Sequence, residues 1–188
     1  MTSVGKLSKI LLKTITYKIF LGSVQGLARR YTWAPPLLRL MLLRIALAMT
    51  PELVPGLRFS TTQLVDASRV IEFMGEGSGV YASSRIISDI EWACRCFLTG
   101  YLAEGEDSVG IRACFEHRAT GIPGSSVTIE GVVTEVEGRR VRFDASVSDG
   151  LDVLMQGSHD RFVVNNAQVL QRILAKRQRL QQAGVITG

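Results

Sequence analysis

"IISDIEWACRC" (86–96) decides the fold. Ile87, Ile90, Cys94, Phe97, Leu98 and Tyr101 recur at helical spacing, so the stretch and its flanks predict one long helix over residues 85–101. A stripe that wide must be buried, and Gly100 and Gly105 mark its end. One residue breaks the pattern. Glu91 lies four residues after Ile87 and three before Cys94, which puts a carboxylate among apolar side chains. An ionised carboxylate there must be paired, hydrogen-bonded or raised in pKa. It could instead sit at the edge of the stripe and reach water. Ser83 and Ser84 precede the helix; the Ser83 hydroxyl, eight residues before Glu91, can cap the helix or serve as an active-site donor.

Outward from the helix, the chain reads as strands. "LRFSTTQLV" (57–65) comes before it, followed by the glycine-rich "GEGSG" (75–79), which lacks the lysine of a phosphate-binding loop and reads as a connector. Four runs come after the helix: 108–118, 125–136, 139–148 and 151–164. Short turns separate them, including Asp149-Gly150, and they predict an antiparallel meander. A basic amphipathic helix, 167–182, closes the chain. The expected fold is α+β, with an antiparallel sheet wrapped around the long helix.

In the strand 108–118, His117 is at even spacing from Val109, Ile111, Ala113 and Phe115. The alternation aims all five at the helix. A lone histidine there is often a satisfied core residue. Together with Glu91, however, it offers a Glu–His pair in a partly dry pocket, which suits general base or nucleophilic chemistry near neutral pH. The amides at the helix start could polarise a carbonyl oxygen.

The 188 residues carry a net charge of +5, but this excess is local. Of 22 Lys and Arg, eight lie in residues 1–50, which contain no Asp or Glu; the other 14 face all 17 acids. The folded part is therefore slightly acidic, which argues against a nucleic-acid partner. The expected divisions are 1–50 (a basic amphipathic extension), 51–166 (the catalytic-type domain) and 167–188 (helix and tail). The extension suits a transit peptide, a helix lying on an anionic membrane surface, or an added packing helix. Neither of its apolar runs is long enough to span a bilayer. Cys94, Cys96 and Cys114 have neither disulfide-framework nor metal-ligand spacing, so a reducing compartment is expected, cytoplasmic or the mitochondrial matrix.

The stretches "IEWACRCFLTGYLAEGEDSVGIRACFEHRATGIPG" and "VEGRRVRFDASVSDGLDVLMQGSHDRFVV" resemble the hotdog-fold thioesterases, and most closely the fluoroacetyl-CoA thioesterase family. The resemblance runs over about residues 55–166. It implies a hotdog dimer that hydrolyses acyl-CoA thioesters, with coenzyme A entering as part of the substrate and no cofactor or metal. The family's catalytic hydroxyl, carboxylate and imidazole fall on Ser83, Glu91 and His117. Gly110 matches a glycine whose backbone approaches the substrate, and Arg161 an arginine near the site. The family's fluoroacetyl enzyme carries threonine where this chain has Ser83. Arg112, Arg118, Arg139, Arg140 and Arg142 could meet the coenzyme A phosphates or form a solvated strand face. Enoyl-CoA hydration on the same Glu and His, and non-catalytic acyl-CoA binding at a membrane, are the other functions such a chain could serve.

Overall fold

The computed structural model describes residues 52–73 and 75–186. The expectations for residues 1–50 lie outside the described residues. The elements run β1 (Arg58–Leu64), a 3-10 turn (Ala67–Arg69), β2 (Val70–Ile71), β3 (Val80–Tyr81), α1 (Ser83–Leu98), β4 (Glu106–His117), β5 (Ser126–Glu137), β6 (Arg140–Ser148), β7 (Val153–Asn165) and α2 (Asn166–Gln182). Five strands form one antiparallel sheet in the order β1-β5-β6-β7-β4. The α1 helix packs on its apolar face, as the hotdog arrangement requires.

Ile86, Ile90, Ala93, Cys94 and Leu98 are the buried residues of α1. They meet Val127, Ile129 and Val133 of β5, and Val141, Phe143, Ala145 and Val147 of β6. The stripe is thus turned slightly from the expected one. Ile86 occupies the centre, and Ile87 and Phe97 are partly buried at the margins. The turn moves Glu91 to the rim of the stripe, where its side chain is 42% exposed. Two polar clasps fix the helix. Asp89 accepts from Tyr81 Oη (2.6 Å) and Arg69 Nε (2.8 Å), and Arg95 Nε donates to Asp107 (2.9 Å).

The expected four-strand meander is corrected in one respect. Only β5, β6 and β7 follow in sequence across the sheet; β4 pairs with β7 and forms the edge. The chain therefore crosses from one end of the sheet toward the other through the loop 118–125. This places β4 alongside α1, and the two elements run in opposite directions.

The glycine-rich connector joins β2 and β3, a two-rung ladder (Val70↔Tyr81, Ile71↔Val80) that alternation alone did not reveal. Among the described residues, no helix is long and apolar enough to cross a membrane.

Candidate active site

The α1 and β4 elements are linked at three levels, and the expected site residues occupy two of them. At the start of α1, Ser83 Oγ lies 2.6 Å from His117 Nδ1. The His117 Nε2 lies 2.9 Å from the Ala119 carbonyl and donates to it. In the tautomer that this bond selects, Nδ1 carries the lone pair and accepts the serine proton. Ser83 is the first helical residue. The cap position belongs to Ala82, which makes no side-chain capping bond. The Ser83 hydroxyl is spent on an imidazole, so the capping alternative is corrected.

Glu91 stands two turns further along α1. At about 1.5 Å of rise per residue, eight residues separate it from Ser83 by roughly 12 Å. Within one chain, the Ser83–His117 pair and Glu91 are not brought together. The expected Glu91–His117 pair is replaced by another: His159 Nε2 lies 3.7 Å from Glu91 Oε1. Alternation did not single out His159, although "G-H-R" at 157–161 stood in the family-like motif. The available signal was the imbalance of β7, whose buried run Leu154, Met155, His159, Asp160, Arg161 and Val163 contains three ionisable side chains.

The strand β4 also departs from simple alternation. Its register with β7 slips between Gly110 and Arg112, so Ile111 bulges. Before the bulge, Ser108 and Gly110 oppose Val163 and Arg161; after it, Ala113, Phe115 and His117 oppose His159, Gly157 and Met155. The bulge lets Gly110 and His117 share the helix-facing side despite their odd spacing. Val109 and Ile111, expected to face the helix, are 41% and 53% exposed.

Gly110 is needed for closeness. A Cβ at this position would lie 2.6 Å from Glu91 Oε1 and 3.0 Å from His159 Cε1. The carboxylate therefore rests over bare backbone. Beneath it, Arg161 is buried at 4% exposure. Its Nε donates to Ser108 Oγ (2.9 Å) and its Nη2 to the Ser108 carbonyl (2.6 Å). Its Nη1 reaches the Glu91 carbonyl (3.1 Å) and His159 Nε2 (3.0 Å). Burial lowers the pKa of the guanidinium, and the nearby Glu91 charge opposes that shift. Arg161 thus holds together the α1 backbone at Glu91, β4 at Ser108 and β7 at His159.

Of the five arginines considered for coenzyme A, four are ion-paired within the chain. Arg118 meets Glu116, Arg139 meets Glu106, and Arg140 and Arg142 both meet Asp160. Arg112 is exposed. The Cys94 thiol is pushed up to about 12 by burial, so it is protonated and a poor nucleophile. No cluster of His, Cys, Asp and Glu among the described residues could hold a metal ion.

The comparisons with known proteins converge on this region. A model of the fluoroacetyl-CoA-specific thioesterase family matches residues 65–167. The fluoroacetyl-CoA thioesterase of Streptantibioticus cattleyicolor is 37% identical over 97 residues, covering 50% of this chain and 70% of that protein. The solved structure of the fluoroacetyl-CoA thioesterase FlK superposes with a TM-score of 0.63 at 28% identity, covering 67% of this chain and 98% of FlK. A thioesterase superfamily member from Thermus thermophilus shares the fold, with a TM-score of 0.61 at 23% identity over 71% of this chain and 97% of its own. The matched span holds Ser83, Glu91, Gly110, His117 and Arg161, and by this agreement of sequence, fold and position the chain belongs to the fluoroacetyl-CoA-specific thioesterase family.

Proposed function

We propose that this protein hydrolyses small or medium acyl-CoA thioesters to the free acid and coenzyme A, with Ser83, Glu91 and His117 as catalytic residues. The observation that carries the reading is the Glu91 carboxylate, half exposed at the rim of the core and resting on a glycine backbone. A thioester carbonyl can approach that carboxylate without meeting a side chain at position 110. Glu91 then adds to the carbonyl carbon directly or draws a proton from an attacking water. The C–S bond breaks, coenzyme A leaves as the thiolate and takes up a proton, and one water is consumed per turnover. The Ser83–His117 pair accepts and returns protons through Nδ1.

The separation of about 12 Å along α1 favours a homodimer. Strand β4 is a sheet edge and exposes Val109 and Ile111, the profile of a strand that pairs with a second copy. A two-fold axis at that edge turns the Ser83–His117 end of one protomer toward the Glu91 end of its partner.

The test follows free thiol release from acetyl-, branched-, aryl- and longer-chain acyl-CoAs by the full chain and by Glu91→Gln. The expected outcome is release from one substrate class, reduced at least about a thousandfold in the variant, as for loss of a group acting in the transition state. Equal rates in folded Glu91→Gln would end the proposal. Consumption of an unsaturated acyl-CoA without thiol release would mark hydration instead.

A further inference from the structure

We infer that His159 is a positioning residue for Glu91: as an uncharged imidazole it leaves the carboxylate free to react, and on protonation it captures that carboxylate and switches the site off. This rests on the proposed role of Glu91 and adds a second titrating group to it.

The hydrogen bonds of His159 assign its state. The side chain has 0% exposure. Its Nδ1 lies 2.8 Å from the Arg112 carbonyl, which can only accept, so Nδ1 carries the proton. Its Nε2 lies 3.0 Å from Arg161 Nη1, which can only donate, so Nε2 carries a lone pair. Both neighbours demand the same neutral tautomer. The other acceptors of Arg161 are the Ser108 hydroxyl, the Ser108 carbonyl and the Glu91 carbonyl. All its hydrogen-bond partners are therefore uncharged, and its positive charge remains to act on the Glu91 carboxylate.

A proton on Nε2 reverses this arrangement. Nε2 could no longer accept from Arg161, and two cations would face each other at about hydrogen-bond distance, a costly contact in a buried site. The new N–H would have one relief: Glu91 Oε1, 3.7 Å away in the neutral arrangement. A shift of roughly 1 Å, easy for a half-exposed glutamate, converts that gap into a charge-assisted bond. The carboxylate would then be paired with an imidazolium and withdrawn from the substrate.

The charges around His159 decide where this occurs. From α1 it faces Glu91; the protonated Cys94 thiol of that helix neighbours Arg161 and Glu91. From β4 comes the Arg112 carbonyl, and Asp107 further along that strand is occupied by Arg95. Within β7, Arg161 lies beside it, and Asp160 points to the opposite face, toward Arg140 and Arg142. From β6 its partner is Phe143. Burial is the largest influence and lowers the pKa, and Arg161 adds to it; the Arg112 bond, Glu91 and Asp160 pull the other way without restoring the usual 6.5. The imidazole is accordingly neutral at pH 7 and takes its proton somewhat below 6.5.

The experiment compares pH profiles of kcat/KM for the full chain, His159→Gln and His159→Ala on a hydrolysed acyl-CoA. A glutamine carbonyl can still accept from Arg161 but cannot titrate. We expect His159→Gln to lose about three- to tenfold at pH 7.5, the scale of a small positional error. Its acid limb should move to lower pH. His159→Ala should fall further at every pH. An acid limb in His159→Gln identical to the parent would overturn the inference. A second readout is independent of turnover. The chain has two histidines, so side-chain NMR resolves His159 once His117→Ala identifies the other. The His159 signals should show the Nδ1–H tautomer at pH 7.5, titrate below 6.5, and titrate lower still in Glu91→Gln. Titration at or above 6.5, unmoved by Glu91→Gln, would also overturn it. Wild-type thiol release by Glu91→Gln would instead remove the reading on which the inference rests.

Discussion

The two histidines stand at two levels of the same α1–β4 seam and are built alike, yet they differ in what they can do. Each is held by one backbone carbonyl, Ala119 for His117 and Arg112 for His159. The carbonyl takes Nε2–H in one case and Nδ1–H in the other. Each therefore keeps one lone pair, presented to a hydroxyl in His117 and to a guanidinium in His159. His117 is exposed; it can gain a proton from Ser83 and pass it on. His159 is buried against a cation and gains a proton only at the expense of its neighbour. Tautomer alone does not make a histidine catalytic: in the proposed roles, the same backbone device serves an exposed proton carrier and a buried positioning group.

The largest effect expected from this comparison comes from mixing two variants that the proposed site makes inactive. Glu91→Gln destroys one level of the seam and His117→Ala the other. If the two levels serve one thioester across a homodimer, co-expressed subunits of the two variants will recover activity. Random pairing makes half the dimers mixed, each with one intact site of two, so about a quarter of wild-type turnover is the ceiling. A mixture no more active than either parent, with exchange verified by differently tagged subunits, would confine each site to one chain.

A smaller effect should come from Gly110→Ala. The added methyl meets the Glu91 carboxylate at 2.6 Å. That group is the far end of a flexible, half-exposed side chain and can swing away. His159 Cε1, at 3.0 Å, must yield by a few tenths of an ångström. Turnover should fall about ten- to a hundredfold, the cost of displacing a reacting group by roughly 1 Å. Denaturant midpoints should change little, with a loss of about 1 kcal/mol or less. A large stability loss with unchanged kcat in the folded fraction would make Gly110 a packing residue only.

The same seam explains what was legible in the sequence. Periodicity located α1 and every strand of the main sheet to within a few residues, because each has a single buried face. It named Glu91 as the exception in the stripe and left Ser83 as either a cap or an active-site hydroxyl; family resemblance chose the second role and added Gly110 and Arg161. Alternation aimed His117 correctly by a route that was partly wrong. Val109 and Ile111 do not share its face, since the bulge at Ile111 inverts the strand halfway. A bulge conserves local composition and leaves no mark on a hydrophobicity pattern. The place of β4 beside β7 was also hidden, because short loops favour sequential neighbours and here the chain crosses over. His159 escaped notice for a third reason. Its partners lie 2, 47 and 68 positions away, in Arg161, Arg112 and Glu91, and no local spacing encodes such a meeting.

The smallest effect concerns the face of β7 that turns away from the site. Asp160 is buried and accepts from Arg142 Nε (2.8 Å) and Arg140 Nη2 (2.6 Å). These bonds, Arg142 first, hold its carboxyl at about 2, below the usual 3.8, against the opposing cost of burial. The folded-state pKa is depressed, so the stabilisation is fully present above pH 3.8 and is lost as pH falls through 2. Asp160→Asn should cost about 1–2 kcal/mol at pH 7, discounted because both arginines remain partly exposed to water. The gap to the parent in thermal denaturation should narrow as pH falls from about 4 toward 2. Turnover should stay near the parent's, since Asp160 lies one residue from His159 but on the other side of the sheet. A collapse of turnover without loss of stability would mean that the two faces of β7 are coupled, and that the seam extends through the sheet to the arginine pair behind it.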